Sequence, residues 1–246
     1  MEEKIKFQEK EHGKRIQYKA DKIWGWSTQA GILRANRRLK EFLPYLNSAR
    51  KNRVLEIGCG TGIFTNLFYL NGIMPVAIDI SYDLLKKAKD RNPNFVLIQA
   101  DAEKLPFKEN FFDCVLGISV LHHLNINPAL KDIRAVLRDD GIMIFSEPNM
   151  ANPQIFLQKR IGWLKKIMND TPSETAFFRW QLERTLRLNG FSCICICPFE
   201  FLHPYTPRCV IPIVIMLQQY LERTPIIKEI AGSLLIVARK NTASCV

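Results

Sequence analysis

Between Arg53 and Glu147 the chain alternates two hydrophobic rhythms. Short, nearly unbroken apolar runs at 54–57, 74–80, 95–99, 112–119 and 142–147 read as strands buried on both faces. Between the runs, apolar residues return at helical spacing. Phe64, Leu67, Phe68 and Leu70 form one such set, closed by Asn71-Gly72. A second runs from Leu84 to Asp90 behind Ser81 as N-cap, and a third from Pro128 to Arg138, with Asn127 as cap and Pro128 in first position. Asp140-Gly141 then turns the chain into the fifth run. Strands that alternate with helices predict a parallel sheet covered on both sides, a doubly wound α/β fold.

The flanks follow a different pattern. Residues 14–50 read as helical, with Ile32, Leu39, Phe42 and Leu43 on one side, arginines on the other, and Pro44 disturbing the end. After Pro148 a basic amphipathic helix is expected over Pro153–Met168, and a second over Glu174–Leu188, stopped by Gly190. Phe191–Pro198 and Leu234–Arg239 read as a closing pair of strands, separated by an apolar, proline-punctuated insertion at 204–232. The expected organisation is an N-terminal helical cap at 1–50 and a core at 51–150. Residues 151–246 complete the same domain with a lid and the insertion.

Composition narrows the class. With 246 residues and 47% hydrophobic content, the chain can bury one sizeable core. Met1 to Glu11 alternates charges and is no signal peptide. The apolar stretch 209–217 is too short for a bilayer, which takes about 20 residues, so a cytoplasmic protein is expected. The seven cysteines contain no CxxC pair. Cys193, Cys195 and Cys197 alternate along one strand face rather than converging on a metal, and read as reduced thiols. The net charge of +11 is spread along the chain, compatible with nucleic acid, anionic lipid, a phosphorylated substrate or simply a solvated surface.

The chemistry concentrates where strands end. Val54-Leu-Glu-Ile-Gly-Cys-Gly-Thr-Gly62 turns a strand into a helix through three alternating glycines, which allow a sharp bend and a close backbone approach to a ligand. Position 63 is Ile, so the G-x-G-x-x-G fingerprint of nicotinamide enzymes is not met. Asp79 ends the next strand, placed to accept the two hydroxyls of a ribose. Asp101-Ala-Glu-Lys-Leu-Pro-Phe107 follows the third strand, and Leu121-His-His-Leu124 follows the fourth.

Together these motifs resemble the class I S-adenosylmethionine-dependent methyltransferases, in the branch that modifies small molecules and lipids. The resemblance covers roughly residues 50–150. It implies a Rossmann-like, seven-stranded, mostly parallel sheet with helices on both faces and an antiparallel last strand. It also implies a cofactor site. Glu56, Gly58, Cys59 and Gly60 would border the methionine and ribose, Asp79 would hold the ribose hydroxyls, and Ile80 would pack on the adenine. Asp101 would accept from the adenine amino group, the Ala102 N–H would address the ring, and Ser119 would lie near the methionine end. Tyr18, Trp24, Trp26 and Arg34 are candidates for a cap over this site, where an arginine could pair with the methionine carboxylate, or for ordinary surface packing.

Methyl transfer from a sulfonium needs alignment above all, and a base when the acceptor is a neutral hydroxyl or an acidic carbon. His122, His123 and Glu147 are the candidates, each with a plain structural role as its alternative. The mix of Ile155, Phe156, Leu157, Ile161, Trp163, Leu164 and Met168 with Lys159, Arg160, Lys165 and Lys166 suits an interfacial helix, and Val210–Leu217 suits a greasy wall. Both point to a small, hydrophobic or lipid-like acceptor and to peripheral membrane contact; the other reading, given precedence over membrane contact, is a plain substrate lid that covers the sheet. Nucleic-acid methylation is the less favoured alternative, because the position after the fourth strand holds Ser119-Val-Leu-His-His rather than an Asn/Asp-Pro-Pro-aromatic motif. A catalytically silent S-adenosylmethionine-binding partner subunit is a further alternative. No metal is expected.

Overall fold

The computed structural model describes residues 2–46, 53–162, 165 and 175–241. The strands are β1 Val54–Ile57, β2 Val76–Asp79, β3 Val96–Gln99, β4 Phe112–Ile118, β5 Leu137–Pro148, β6 Phe191–Phe199 and β7 Ser233–Lys240. They form one sheet in the order β3-β2-β1-β4-β5-β7-β6. Strands β1 to β5 pair in parallel, while β7 runs antiparallel to both β5 and β6. The chain order reverses between β1 and β4, and sheets of this kind bind ligands at the carboxyl ends of the strands flanking that point. The expected sheet and its antiparallel final strand are thus observed.

The helices between strands are α4 Ile63–Leu70, α5 Tyr82–Arg91 and α6 Ile126–Val136. After β5 come α7 Pro153–Arg160, α8 Arg179–Leu188, α9 Ile211–Leu221 and the short α10 Pro225–Lys228. On one face Leu130, Ile133, Leu182 and Leu186 of α6 and α8 pack on Leu55, Ile57 and Val115 of the sheet. On the other, Phe42 and Phe68 cover Leu116 and Ile144. All of these are essentially solvent-free. Burying each such side chain contributes about 1.5–3 kcal/mol, which is why β1 and β4 are apolar at nearly every position. Strand β3 is one edge of the sheet, and Val96 there is exposed.

Several local expectations shift. Ser81 caps α5 through Leu84 N–H, as expected. Helix α6 starts at Ile126 behind Asn125, so Pro128 lies inside its first turn, where a missing N–H costs nothing. It ends at Val136, and β5 begins before Asp140, whose φ of +59° keeps the turn-like bend. The N-terminus contains α1 Glu2–Ile16, α2 Ala20–Ile23 and α3 Gln29–Leu46. Helix α3 keeps Pro44. Its inward face is Ala35, Leu39, Phe42 and Leu46 together with Arg38, while Ile32 faces solvent. Packing against the sheet end, not the apolar count, sets that rotation. The basic helix is α7, which ends at Arg160; Trp163, Leu164, Lys166 and Met168, like the expected helix start at Glu174, lie outside the described residues.

Candidate functional site

The glycine turn is built by backbone conformation. Gly58, Gly60 and Gly62 have φ of +68°, +53° and +75°, a region costly for any residue with a Cβ. The turn is pinned to β2 by Cys59 N–H donating to the Ile78 carbonyl at 3.0 Å. Asp79 completes the join: its Oδ2 accepts from Gly60 N–H and its Oδ1 from Ser81 N–H, both at 2.8 Å. Burial raises the Asp79 pKa despite these two donors. Glu56, one strand position before the turn, is 2% exposed and is pushed up to about 8 by burial, helped by the nearby Asp79.

Gly58, Cys59, Gly60, Asp79, Ile80, Asp101, Ala102, Ser119, His122 and His123 all line one cavity of about 710 Å³. That size suits a cofactor with a small acceptor. Glu56 and Glu147 lie behind the wall.

The roof is N-terminal. Lys6 of α1 reaches Asp101 at 2.7 Å and Glu103 at 3.1 Å, and the Asp101 hydrogen bond is the main cause of its raised pKa. Asp101 Oδ1 also accepts from Glu103 N–H, so an adenine amino group there would share a carboxylate already in use. Glu9 lies 3.5 Å from His123 Nδ1. Gly13 packs so tightly that a Cβ would come 2.4 Å from Ser81 Oγ. Past α1, Asp21 accepts from Thr61 Oγ1 at 2.5 Å and from Arg91 at 2.6 Å, latching the segment to the glycine turn. Sequence patterning hid Lys6, Glu9 and Gly13 because α1 is charged nearly all round. Of the cap candidates, Trp24, Trp26 and Arg34 line the cavity, whereas Tyr18 is 80% exposed.

At the end of β4 the backbone bends sharply. Ser119 takes φ +55° and donates its N–H to the Ser146 carbonyl at 2.7 Å. The next two N–H groups, of Val120 and Leu121, donate to Glu147 Oε1 at 2.9 Å each. Glu147 Oε2 lies 2.7 Å from His122 Nδ1. A carboxylate in that place takes the Nδ1–H tautomer, which leaves Nε2 as the ring's basic nitrogen. The two histidine rings lie 4.2 Å apart. Glu147 thus stands behind the His122 ring, and His122 and His123 both line the cavity.

The opposite wall carries Trp26, Arg34, Arg38, Glu200 and His203. Arg38 and Glu200 were invisible in the sequence because α3 and the end of β6 lie 162 positions apart. The one available signal was Arg38 four residues before Phe42, on the helix's apolar face. Beside His203, the insertion contributes Pro204, Tyr205 and Gly232 to the cavity, but α9 does not reach it. Among the described residues no group of three or more His, Cys, Asp or Glu could hold a metal ion.

The residues present fit S-adenosylmethionine. The glycine turn offers open backbone, Asp79 faces the cavity beside it, and Ile80 and Ala102 supply an apolar slot. Comparison with known proteins agrees. Residues 55–145 match the family described as "Methyltransferase domain". A ubiquinone/menaquinone biosynthesis C-methyltransferase from Pseudomonas fluorescens is 37% identical over 130 residues, 47% of this chain and 51% of the relative. A malonyl-[acyl-carrier protein] O-methyltransferase from Hamiltonella defensa is 31% identical over 105 residues, 42% and 41% of the two chains. The chain thus spans about half the length of the curated relatives it matches. A solved S-adenosylmethionine-dependent methyltransferase from Thermotoga maritima superposes with a TM-score of 0.65 over 92% of this chain and 98% of its own, at 18% identity. Residues 55–145 are a methyltransferase domain, and the chain that carries it has the fold of the class I S-adenosylmethionine-dependent methyltransferases.

Proposed function

We propose that this protein transfers a methyl group from S-adenosylmethionine to a small, hydrophobic acceptor. The observation that carries the reading is the left-handed glycine turn tied to Asp79 at the floor of the cavity. Gly58, Cys59 and Gly60 would cradle the methionine and ribose, Asp79 the ribose hydroxyls, and Ile80, Asp101 and Ala102 the adenine. Bound there, S-adenosylmethionine supplies a methyl group already activated on a sulfonium sulfur. The chain's part is then alignment, exclusion of water and removal of a proton. The α1 roof and the Trp24 ring over Gly60 exclude water. His122 Nε2, with its ring fixed by Glu147, would accept the proton of a neutral acceptor.

The acceptor's hydrophobic character is supported by two surfaces. Ile155 of α7 lines the cavity, with Phe156 and Leu157 exposed beside it. On α9, Ile213, Met216, Leu217 and Tyr220 form an exposed stripe at helical spacing, continued by Ile226, Ile227 and Ile230. Such a stripe near Arg208, Arg223 and Lys228 suits peripheral contact with an anionic bilayer, from which a lipid-like acceptor would be taken. Among the described residues no helix is long and apolar enough to cross a membrane.

Calorimetric titration with S-adenosylmethionine tests the core claim. Wild type is expected to bind, and Asp79→Ala to bind about tenfold to a hundredfold more weakly, as expected for loss of charge-assisted hydrogen bonds. Turnover is then followed with quinone-like and acyl acceptors, dissolved and in anionic vesicles. No binding by the folded wild type would refute the reading. Binding without turnover on any acceptor would leave a silent cofactor-binding subunit.

A further inference from the structure

The cavity is electrically divided. Toward β2 and β3 its charged wall residues are Glu9, Asp79, Asp101 and Glu103, answered by Lys6. Its other charged wall residues are Arg34, Arg38 and Lys159, with Glu200 as the one acid among them. Arg38 is 2% exposed; it donates to both Glu200 and, at 2.7 Å, Ser233 Oγ, while its Nε has no partner. Arg37 turns away from the cavity to Glu222 at 2.6 Å. Arg34 donates from Nε to Glu200 at 3.2 Å, and its guanidinium lies 5.4 Å from the Trp26 ring centroid. The Arg34 guanidinium makes no other hydrogen bond among the described residues, although its backbone carbonyl accepts from Arg38 Nη1 at 3.4 Å. Two guanidiniums therefore share one carboxylate at the cavity wall, which leaves an excess positive charge and a donor fork at Arg34.

We propose that this wall binds a carboxylate carried by the methyl acceptor, so that the substrate is a hydrophobic acid seated with its charged end on Arg34. A planar guanidinium matches a carboxylate with two parallel N–H donors, and a partly dry site makes that pairing strong. Burial lowers the Arg34 pKa to about 10, so it stays a cation at neutral pH and gains from an added anion. His203 adds no competing charge, since burial and Arg34 both lower its pKa. The Trp26 face and Ile155 supply the apolar neighbours for the rest of the molecule. The sheet order separates this wall from the cofactor's acidic end, because β4 and β5 stand between β1 and β7.

The inference rests on the methyltransferase reading, and its test keeps the two apart. Dodecanoate and dodecanol, below their micelle-forming concentrations, are titrated calorimetrically into wild type and Arg34→Gln, with and without S-adenosylhomocysteine. Wild type is expected to prefer the acid at least tenfold. In Arg34→Gln that preference is expected to vanish, while dodecanol and S-adenosylhomocysteine bind within about twofold of wild type, a tenfold change being about 1.4 kcal/mol. Circular dichroism and the melting temperature verify that the variant is folded. No preference in wild type, no binding of dodecanoate, or a preference that survives in Arg34→Gln would each overturn the proposal. So would a loss of S-adenosylhomocysteine affinity in Arg34→Gln without loss for 5′-methylthioadenosine, which lacks the amino-acid end. That result would assign Arg34 to the cofactor. Acid preference in a protein that binds no cofactor would keep this site and refute the methyltransferase reading instead.

Discussion

The two halves of the cavity each bury a glutamate, and they treat it in opposite ways. Glu56, beside the glycine turn, sits near the end of β1 with Asp79 as its charged neighbour and no cation paired with it among the described residues, and its pKa rises to about 8. Glu200, on the acceptor side, is equally buried but accepts from Arg34 and Arg38, with Arg37 near. The first is tolerated as a neutral acid, the second as part of an ion cluster. Buried carboxyl groups survive by losing their charge or by pairing it. The difference follows from chain geometry. The cofactor half is made by consecutive strand ends within one hundred-residue stretch, whereas the acceptor half joins α3 to segments more than 150 positions away.

The seam between the halves is His122, and its removal is the largest expected effect. His122→Ala is expected to lower turnover by about 10²–10⁴, the usual worth of a positioned acid or base, with cofactor affinity nearly unchanged. Glu147→Gln is expected to shift the pH–rate profile of the same step. Turnover at wild-type rate in His122→Ala would end its assignment as base. Second, Glu200→Gln leaves Arg38 buried without its carboxylate and is expected to destabilise the fold by about 3–5 kcal/mol, read by denaturant unfolding. Arg38→Met added to Glu200→Gln is expected to recover much of that loss. Recovery would show that the ion cluster serves ligand binding more than stability.

The third and smallest effect concerns Glu56. Its folded pKa lies above the ordinary glutamate value, so the folded state holds its proton more tightly than the unfolded chain. That contribution to stability is present below the ordinary value and is lost as pH rises to the folded value. The melting temperature of Glu56→Gln, measured relative to wild type, is therefore expected to increase from about pH 5 to about pH 8 and then level off. A constant difference across that range would mean that Glu56 is charged or solvated in the folded protein, and the contrast with Glu200 would fall.

The acceptor side also explains why the relatives are informative only in part. The relatives matched over about half of the chain include a C-methyltransferase and an O-methyltransferase by name. The stretch that matches the family, residues 55–145, holds the glycine turn, Asp79, Asp101 and His122, and contains none of Arg34, Arg38, Glu200 or His203.

The sequence by itself determined the sheet, because buried parallel strands must be apolar throughout and the helices between them must repeat at 3.6. It also determined the cavity wall around the glycine turn, because left-handed turns need glycine and strand-end carboxylates sit at fixed distances from it. Only the tertiary structure decided the rest. Helix α1 carries no apolar stripe to betray it, yet Lys6 finds two acids there. The face of α3 was misread at Ile32 and Arg38 because Glu200, which makes burial of Arg38 tolerable, comes from the far end of the chain. His122 and Glu147 were each legible as candidates, but their pairing was not: that Glu147 stands behind the His122 ring depends on how β4 and β5 lie side by side. Local pattern records what one segment must bury; it does not record which distant charge will be there to meet it.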